Sequence, residues 1–210
     1  MQVGKCSKPM KKRLIQTLLA LTVVQAMGQT FIYDQESTAA DNVNFNTSLG
    51  TGIDDVDFGQ SFIPTLSSVG FIRLGFYNVG VPGATDATIS VNLWAGGIGT
   101  GTLLGTSTQL FLPVQSGAWA NFFFSTPVAV NPGTTYYFQP VAVTGTNSVN
   151  MVILGSNQYP NGSIMYSGTP ISNEDVLFRE GVVVPEPTSI SLAFYAAAGL
   201  LLNRRKISKR

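Results

Sequence analysis

Apolar and polar residues alternate with a period of two through much of residues 29–184, and no 3.6-residue stripe stands out there, so the pattern predicts strands. The clearest is 88–95, where Ile89, Val91 and Leu93 face one way while Ser90, Asn92 and Trp94 face the other. In 69–77, Ile72, Leu74 and Phe76 share one face and Phe71, Arg73 and Tyr77 the opposite one. In 118–125, Phe122 and Phe124 oppose Trp119, Asn121 and Phe123. A further strand at 134–143 starts just after an Asn131-Pro132-Gly133 turn. Runs at 109–112, 149–155, 163–166 and 176–184 bring the expected number to about eight or nine, and another strand is expected at Gln60. That many strands at such spacing, separated by Gly, Pro, Asn and Ser clusters, predict an all-β fold: a single β-sandwich or jelly-roll-like domain over 29–184. The glycine-rich run from Gly96 to Gly101 has no following Lys-Ser or Lys-Thr and opens no helix, so it reads as a hairpin connection and not a phosphate loop.

The two ends break this texture. At the N-terminus, Lys11, Lys12 and Arg13 precede an apolar run, 14–24, and Ala26-Met27-Gly28 gives a small-x-small cleavage site before Gln29. Residues 1–28 therefore read as a signal peptide, with Met10 as the expected true start. At the C-terminus, Pro185-Glu186-Pro187 is followed by an apolar stretch, 189–202, and a basic end, 204–210. The stretch of 14 residues would measure about 21 Å as a helix, short of the roughly 30 Å hydrocarbon core but able to span with basic flanks that snorkel. A single transmembrane helix with its basic end in the cytoplasm is expected. Pro185 and Pro187 disfavour helix around Glu186, leaving it in an extended segment that a protease could bind as a strand.

This order of motif, apolar segment and basic cluster resembles the PEP-CTERM sorting signal of Gram-negative bacteria. Tails of this kind are sometimes named after the C-terminus of an ice-binding protein; the label concerns the tail, and this chain has no Thr-x-Thr ladder. The segments 60–64, 71–74, 130–138 and 177–181 are similar to recurring β-sandwich modules that precede such tails. The resemblance implies an exported protein, held first in the inner membrane and then delivered to the cell surface or extracellular matrix. Signal peptidase and an exosortase-type enzyme would be its processing partners, with Pro185, Glu186 and Pro187 as the sorting motif. It also implies a non-catalytic structural or adhesive role linked to exopolysaccharide.

Charge changes once the ends are set aside. The whole chain has 12 Lys and Arg against 11 Asp and Glu, a formal net charge of +1. Between 29 and 184 only Arg73 and Arg179 are basic while ten residues are acidic, a net charge of −8. Such a domain lacks the clustered cations that nucleic-acid binding requires, so no nucleic-acid partner is expected.

Candidate chemistry is narrowed by what is missing. The chain has no His, its one Cys is Cys6, and 29–184 holds no Lys, which removes Ser-His-Asp and Cys-His triads, His-ligated zinc, thiolate redox sites and Schiff-base lysines. Carboxylates remain. A glycoside hydrolase would need two of them across a cleft, one with a raised pKa; Glu174, Asp175 and Glu180 are instead expected to be solvated loop residues, and no catalytic residue is assigned. Asp54, Asp55 and Asp57, preceded by Asn42, Asn44 and Asn46, form the densest oxygen cluster and are the candidate ligands for a structural calcium, although the spacing is not that of an EF-hand. No other cofactor is expected. Among the aromatics that could stack on a pyranose, Trp94, Trp119, Tyr136, Tyr137, Tyr159 and Tyr166, the two tryptophans are the candidates, with Trp94 expected on the solvent side. A carbohydrate-binding module and, behind it, a carboxylate-based glycoside hydrolase are the alternatives to a structural role.

Overall fold

The computed structural model describes residues 30–38, 50–52, 58–78, 85–114, 117–145 and 149–184. The expected signal peptide, the sorting tail with Pro185, Glu186 and Pro187, and the candidate calcium ligands Asp54, Asp55 and Asp57 lie outside the described residues. Every described element is a strand, and the strands form two antiparallel sheets, an arrangement consistent with a β-sandwich.

One sheet, A, contains β1 (Thr30–Ser37), β2 (Gly50–Gly52), β4 (Ser68–Asn78), β8 (Gly117–Ala129), β10 (Val149–Leu154), β13 (Asp175–Val176) and β14 (Phe178–Val184). The other, B, contains β3 (Gly59–Phe62), β5 (Ala87–Ala95), β6 (Thr102–Thr106), β7 (Leu110–Leu112), β9 (Tyr136–Thr144), β11 (Ile164–Tyr166) and β12 (Thr169–Ile171). The long β4 organises sheet A. It pairs with β8 along nearly its full length, so β14, opposite 71–74, and β10, opposite 76–78, must share its other side. Beyond β14 lies β1, and sheet B runs β12-β11-β3-β9-β5-β6, with β7 also on β5.

The alternation read from the sequence sets the faces. Ile72, Leu74 and Phe76 of β4, Phe122 of β8 and Phe178 of β14 point into the core, where they meet Ile89, Val91 and Leu93 of β5 and Phe62 and Phe138 of sheet B. The rings of Phe138 and Phe178 lie 5.2 Å apart and join the two layers. Burying an aromatic of this size contributes about 2–3 kcal/mol, so these few rings carry a large share of the stability. Gly133 serves the turn before β9: it adopts φ +79°, and Thr134 N donates to Asn131 O at 3.2 Å, closing a turn with Pro at the second position and Gly at the third. Residues 96–101 join β5 to β6 as the expected hairpin, with Gly96, Gly97 and Gly99 all at positive φ.

Two expectations change. The described residues hold fourteen strands and not eight or nine, because the short or edge strands β1, β2, β6, β12 and β13 carry too few alternating apolar positions to stand out. Asp175 and Glu180 are not solvated loop acids: both are 0% exposed. Asp175 opens β13 and accepts from Gln60 Nε2 at 2.9 Å, from Gln158 N at 2.7 Å and from Tyr159 N at 2.8 Å. Gln60 Oε1 in turn accepts from Val176 N at 3.1 Å, so a buried polar pair links β3 of sheet B to β13 of sheet A.

Candidate functional site

Three places gather side chains that could do chemistry. The first surrounds Trp94 on the outer side of sheet B. Leu93 is core, so alternation turns Trp94 outward, where it pairs with Tyr137 of β9 on one side and Leu103 of β6 on the other. Trp94 is half-buried, and its Nε1 donates to Gln139 Oε1 at 2.9 Å. Ser90, expected on a wet face, is buried. The hairpin folds back so that Ile98 Cδ1 lies 2.7 Å from where a Cβ on Gly59 of β3 would stand, which crowds this side of the sheet. Tyr136 and Tyr159 are buried and spend their hydroxyls on the backbone, accepting from Asn131 N and Ile63 N, each at 2.9 Å. Tyr166 is exposed on β11, away from either tryptophan's strand.

The second place is the outer side of sheet A. Arg179 of β14 pairs directly with Arg73 of β4, which pairs with Asn121 of β8. All three point away from the core because their neighbours Phe178, Ile72, Leu74 and Phe122 fill it. Like charges directly opposite each other destabilise a sheet, so the two guanidiniums need compensation. Trp119 supplies part of it. It pairs with Gly75, whose missing side chain lets the indole lean toward its neighbours, and Arg73 Cζ and Arg179 Cζ lie 5.1 Å and 5.3 Å from the ring centroid.

Strand β1 supplies more. Tyr33 lies 5.1 Å from Arg179 Cζ and accepts from Arg73 Nη1 at 3.3 Å, while Glu36 Oε2 is 3.0 Å from Arg179 Nε. Phe71 also faces outward, as its place in the alternation predicts, yet it is fully buried, because Phe31 and Tyr33 close over it edge-on at 5.0 and 5.8 Å. The face is thus a continuous aromatic patch ending in two arginines. The sequence singles out Trp119 and sets Arg73 opposite Ile72, Leu74 and Phe76, but it does not say which of these sides is outward and does not point to Tyr33, Glu36 or Arg179. The available signal was that Arg73 and Arg179 are the only basic residues of 29–184.

The third place lies beneath β1. Asp34 binds the connection between the sheets: its carboxylate accepts from Thr65 N at 2.7 Å, Leu66 N at 2.9 Å, the Thr65 hydroxyl, and Gln35 Nε2 at 3.1 Å. Partial burial pushes its pKa up, but these four donors outweigh it and hold the carboxyl below its ordinary value. Glu180, on the core-facing side of β14, is beside it. Neither Glu180 oxygen makes a hydrogen bond of standard geometry, although the Asp34 carboxylate and the Gln35 amide are close enough to influence it. Burial first, and then the negative Asp34, push the Glu180 carboxyl up to about 9. Two acids with pKa values driven apart are what a glycosidase needs, but Glu180 is fully buried, and a glycosidic oxygen could reach it only if the surrounding structure opened.

A scan against protein-family models finds no match, and no curated protein is similar in sequence.

Proposed function

We propose that this chain is an exported envelope or matrix protein with a non-catalytic structural or adhesive role, and that it contacts exopolysaccharide through the outer side of sheet A. In this reading the sandwich has jelly-roll-like character. The signal peptide carries it across the inner membrane, the apolar segment 189–202 holds it there, and the Pro185-Glu186-Pro187 motif presents it to an exosortase-type enzyme. The observation that carries the binding function is the convergence of Trp119, Tyr33, Arg73 and Arg179 on one sheet face: flat rings suited to the C–H face of a sugar beside donors suited to its oxygens.

Retention of the full-length chain, in mild detergent, on immobilised exopolysaccharide from an envelope fraction tests this function. Trp119→Ala should reduce retention while Trp94→Ala leaves it intact. Equal retention of both variants and the unsubstituted chain would remove sheet A from the argument. The sorting half is tested separately by intact mass in the native host. A species beginning at Gln29 and ending near Pro187, lost when Pro185, Glu186 and Pro187 are all changed to Ala, is expected; a mature chain that keeps Arg210 in both forms would show that the tail is only an anchor.

A further inference from the structure

We infer that the sugar taken by the Arg73–Trp119 face is a uronate, so that the partner is an acidic polysaccharide and not a neutral glucan; this rests on the saccharide-binding reading above. The observation behind it is how the two arginines are partnered. Arg179 is ion-paired with Glu36, whereas Arg73, directly opposite it, meets only the Tyr33 hydroxyl and the indole and has no carboxylate partner among the described residues. Among the described residues Arg73 is thus left without a carboxylate of its own, in a domain that is otherwise strongly acidic. A single carboxylate supplied from outside would complete the set. It would also relieve the repulsion between the paired arginines, which the aromatic rings only soften.

The geometry favours a sugar that carries this charge on its own ring. In a pyranose uronate the planar carboxylate is attached to C5, at the border of the C–H face that stacks on an aromatic. Charge and stacking surface therefore lie within one sugar unit, as the guanidinium of Arg73 and the ring of Trp119 lie within 5.1 Å. A planar carboxylate also matches the donor fork of arginine, which a lysine ammonium would not reproduce. By contrast, Trp94, Tyr137, Asn92 and Gln139 on sheet B bring no charge to their face, so the two faces predict opposite preferences.

The test is affinity electrophoresis of the full-length chain in mild detergent at pH 7 and low salt, through gels containing polygalacturonate, the same polymer with its carboxyls reduced, dextran sulfate, or dextran. Retardation by polygalacturonate alone is expected, weakening with added salt. Arg73→Gln should weaken it about tenfold, as loss of one charge-assisted hydrogen bond implies. Arg73→Lys should restore only part, and thermal melts confirm that both variants fold. Equal retardation by the reduced polymer would overturn the uronate assignment while leaving saccharide binding standing. Equal retardation by dextran sulfate would replace recognition of a carboxylate with attraction to charge alone. Retardation by none, with a salt-sensitive dimer that Arg73→Gln abolishes, would assign the face to the acidic surface of a second copy and defeat both readings.

Discussion

Replacing Glu180 by Gln removes the one ionisation that the core resists most. In the unfolded chain this carboxyl titrates near 4.5, and in the folded protein at about 9. Between those values the folded state binds one more proton than the unfolded state, so stability contributed by the group is complete below pH 4.5 and is lost as pH rises toward 9. The slope is about 1.4 kcal/mol per pH unit, and from 4.5 to 7 the loss reaches about 3 kcal/mol. For a domain whose net stability is on the order of 5–15 kcal/mol, this is a large fraction. Asp34 works in the opposite direction: its lowered pKa contributes stability above its ordinary value of 3.8, and that contribution disappears as pH falls through the folded value. Stability should therefore peak near pH 4–5 and fall on the alkaline side. A glutamine side chain at this position has the same shape and no proton to lose. Urea unfolding at pH 5, 7 and 8.5 should show Glu180→Gln within about 1 kcal/mol of the unsubstituted chain at the acid end and more stable by about 3 kcal/mol or more at the alkaline end. Two curves that stay parallel from pH 5 to 8.5 would refute the reasoning, because they would mean that Glu180 is already ionised in the folded protein.

Asp34→Asn should destabilise the fold at pH 7 by about 2 kcal/mol, since the backbone amides of Thr65 and Leu66 would lose a charged acceptor; with the negative neighbour gone, Glu180 should ionise at lower pH in the folded protein, seen as an alkaline loss that still begins above pH 4.5 but levels off sooner and is smaller in total. Gly181→Ala places a Cβ 1.9 Å from Ile32 O and must push β1 off β14, so amide exchange across 30–37 should accelerate and stability fall by about 2–3 kcal/mol; unchanged exchange would show that the edge accommodates the methyl. Phe138→Ala, in the ring contact between the layers, should cost about 3–5 kcal/mol in urea unfolding, and a loss below 1 kcal/mol would mean that the two sheets do not depend on it.

Much of the two-sheet fold was legible where strands are long and one-sided. In β4, β5 and β8 the alternation gave the element and which residues share a face, and in β5 it also put Trp94 on the solvent side; both faces of β4 carry bulk, so that Arg73 and Trp119 lie outward emerges only from the packing of the two sheets. Strand β1 escaped because its residues are exposed or only half-buried along most of its length and its attachments are polar. The buried acids escaped for a different reason. Gln60 and Asp175 are 115 residues apart, and nothing near Asp175 in the chain marks it as a core residue. Composition singled out Arg73 and Arg179 as the only cations of the domain, but only the register of β4 against β14 makes them neighbours. Local pattern encodes periodicity well; it does not encode which distant strand will lie alongside.

The link between Gln60 and Asp175 bears on how the two layers find each other. Apolar side chains tolerate a small slide of one sheet over the other, because one methyl can replace another at modest cost. A buried amide facing a buried carboxylate cannot: a displacement of a single residue would strip the Gln60 amide of both its partners, orphan Val176 N and take one of three donors from Asp175, at a penalty of about 1–3 kcal/mol or more for each buried group left unpaired. The pair thus acts as an alignment pin. It selects one stacking of the sheets from several that the greasy interior alone would accept, and a Gln60→Leu, Asp175→Leu double change should yield a domain that still collapses but loses the sharp near-ultraviolet signature of a single packing.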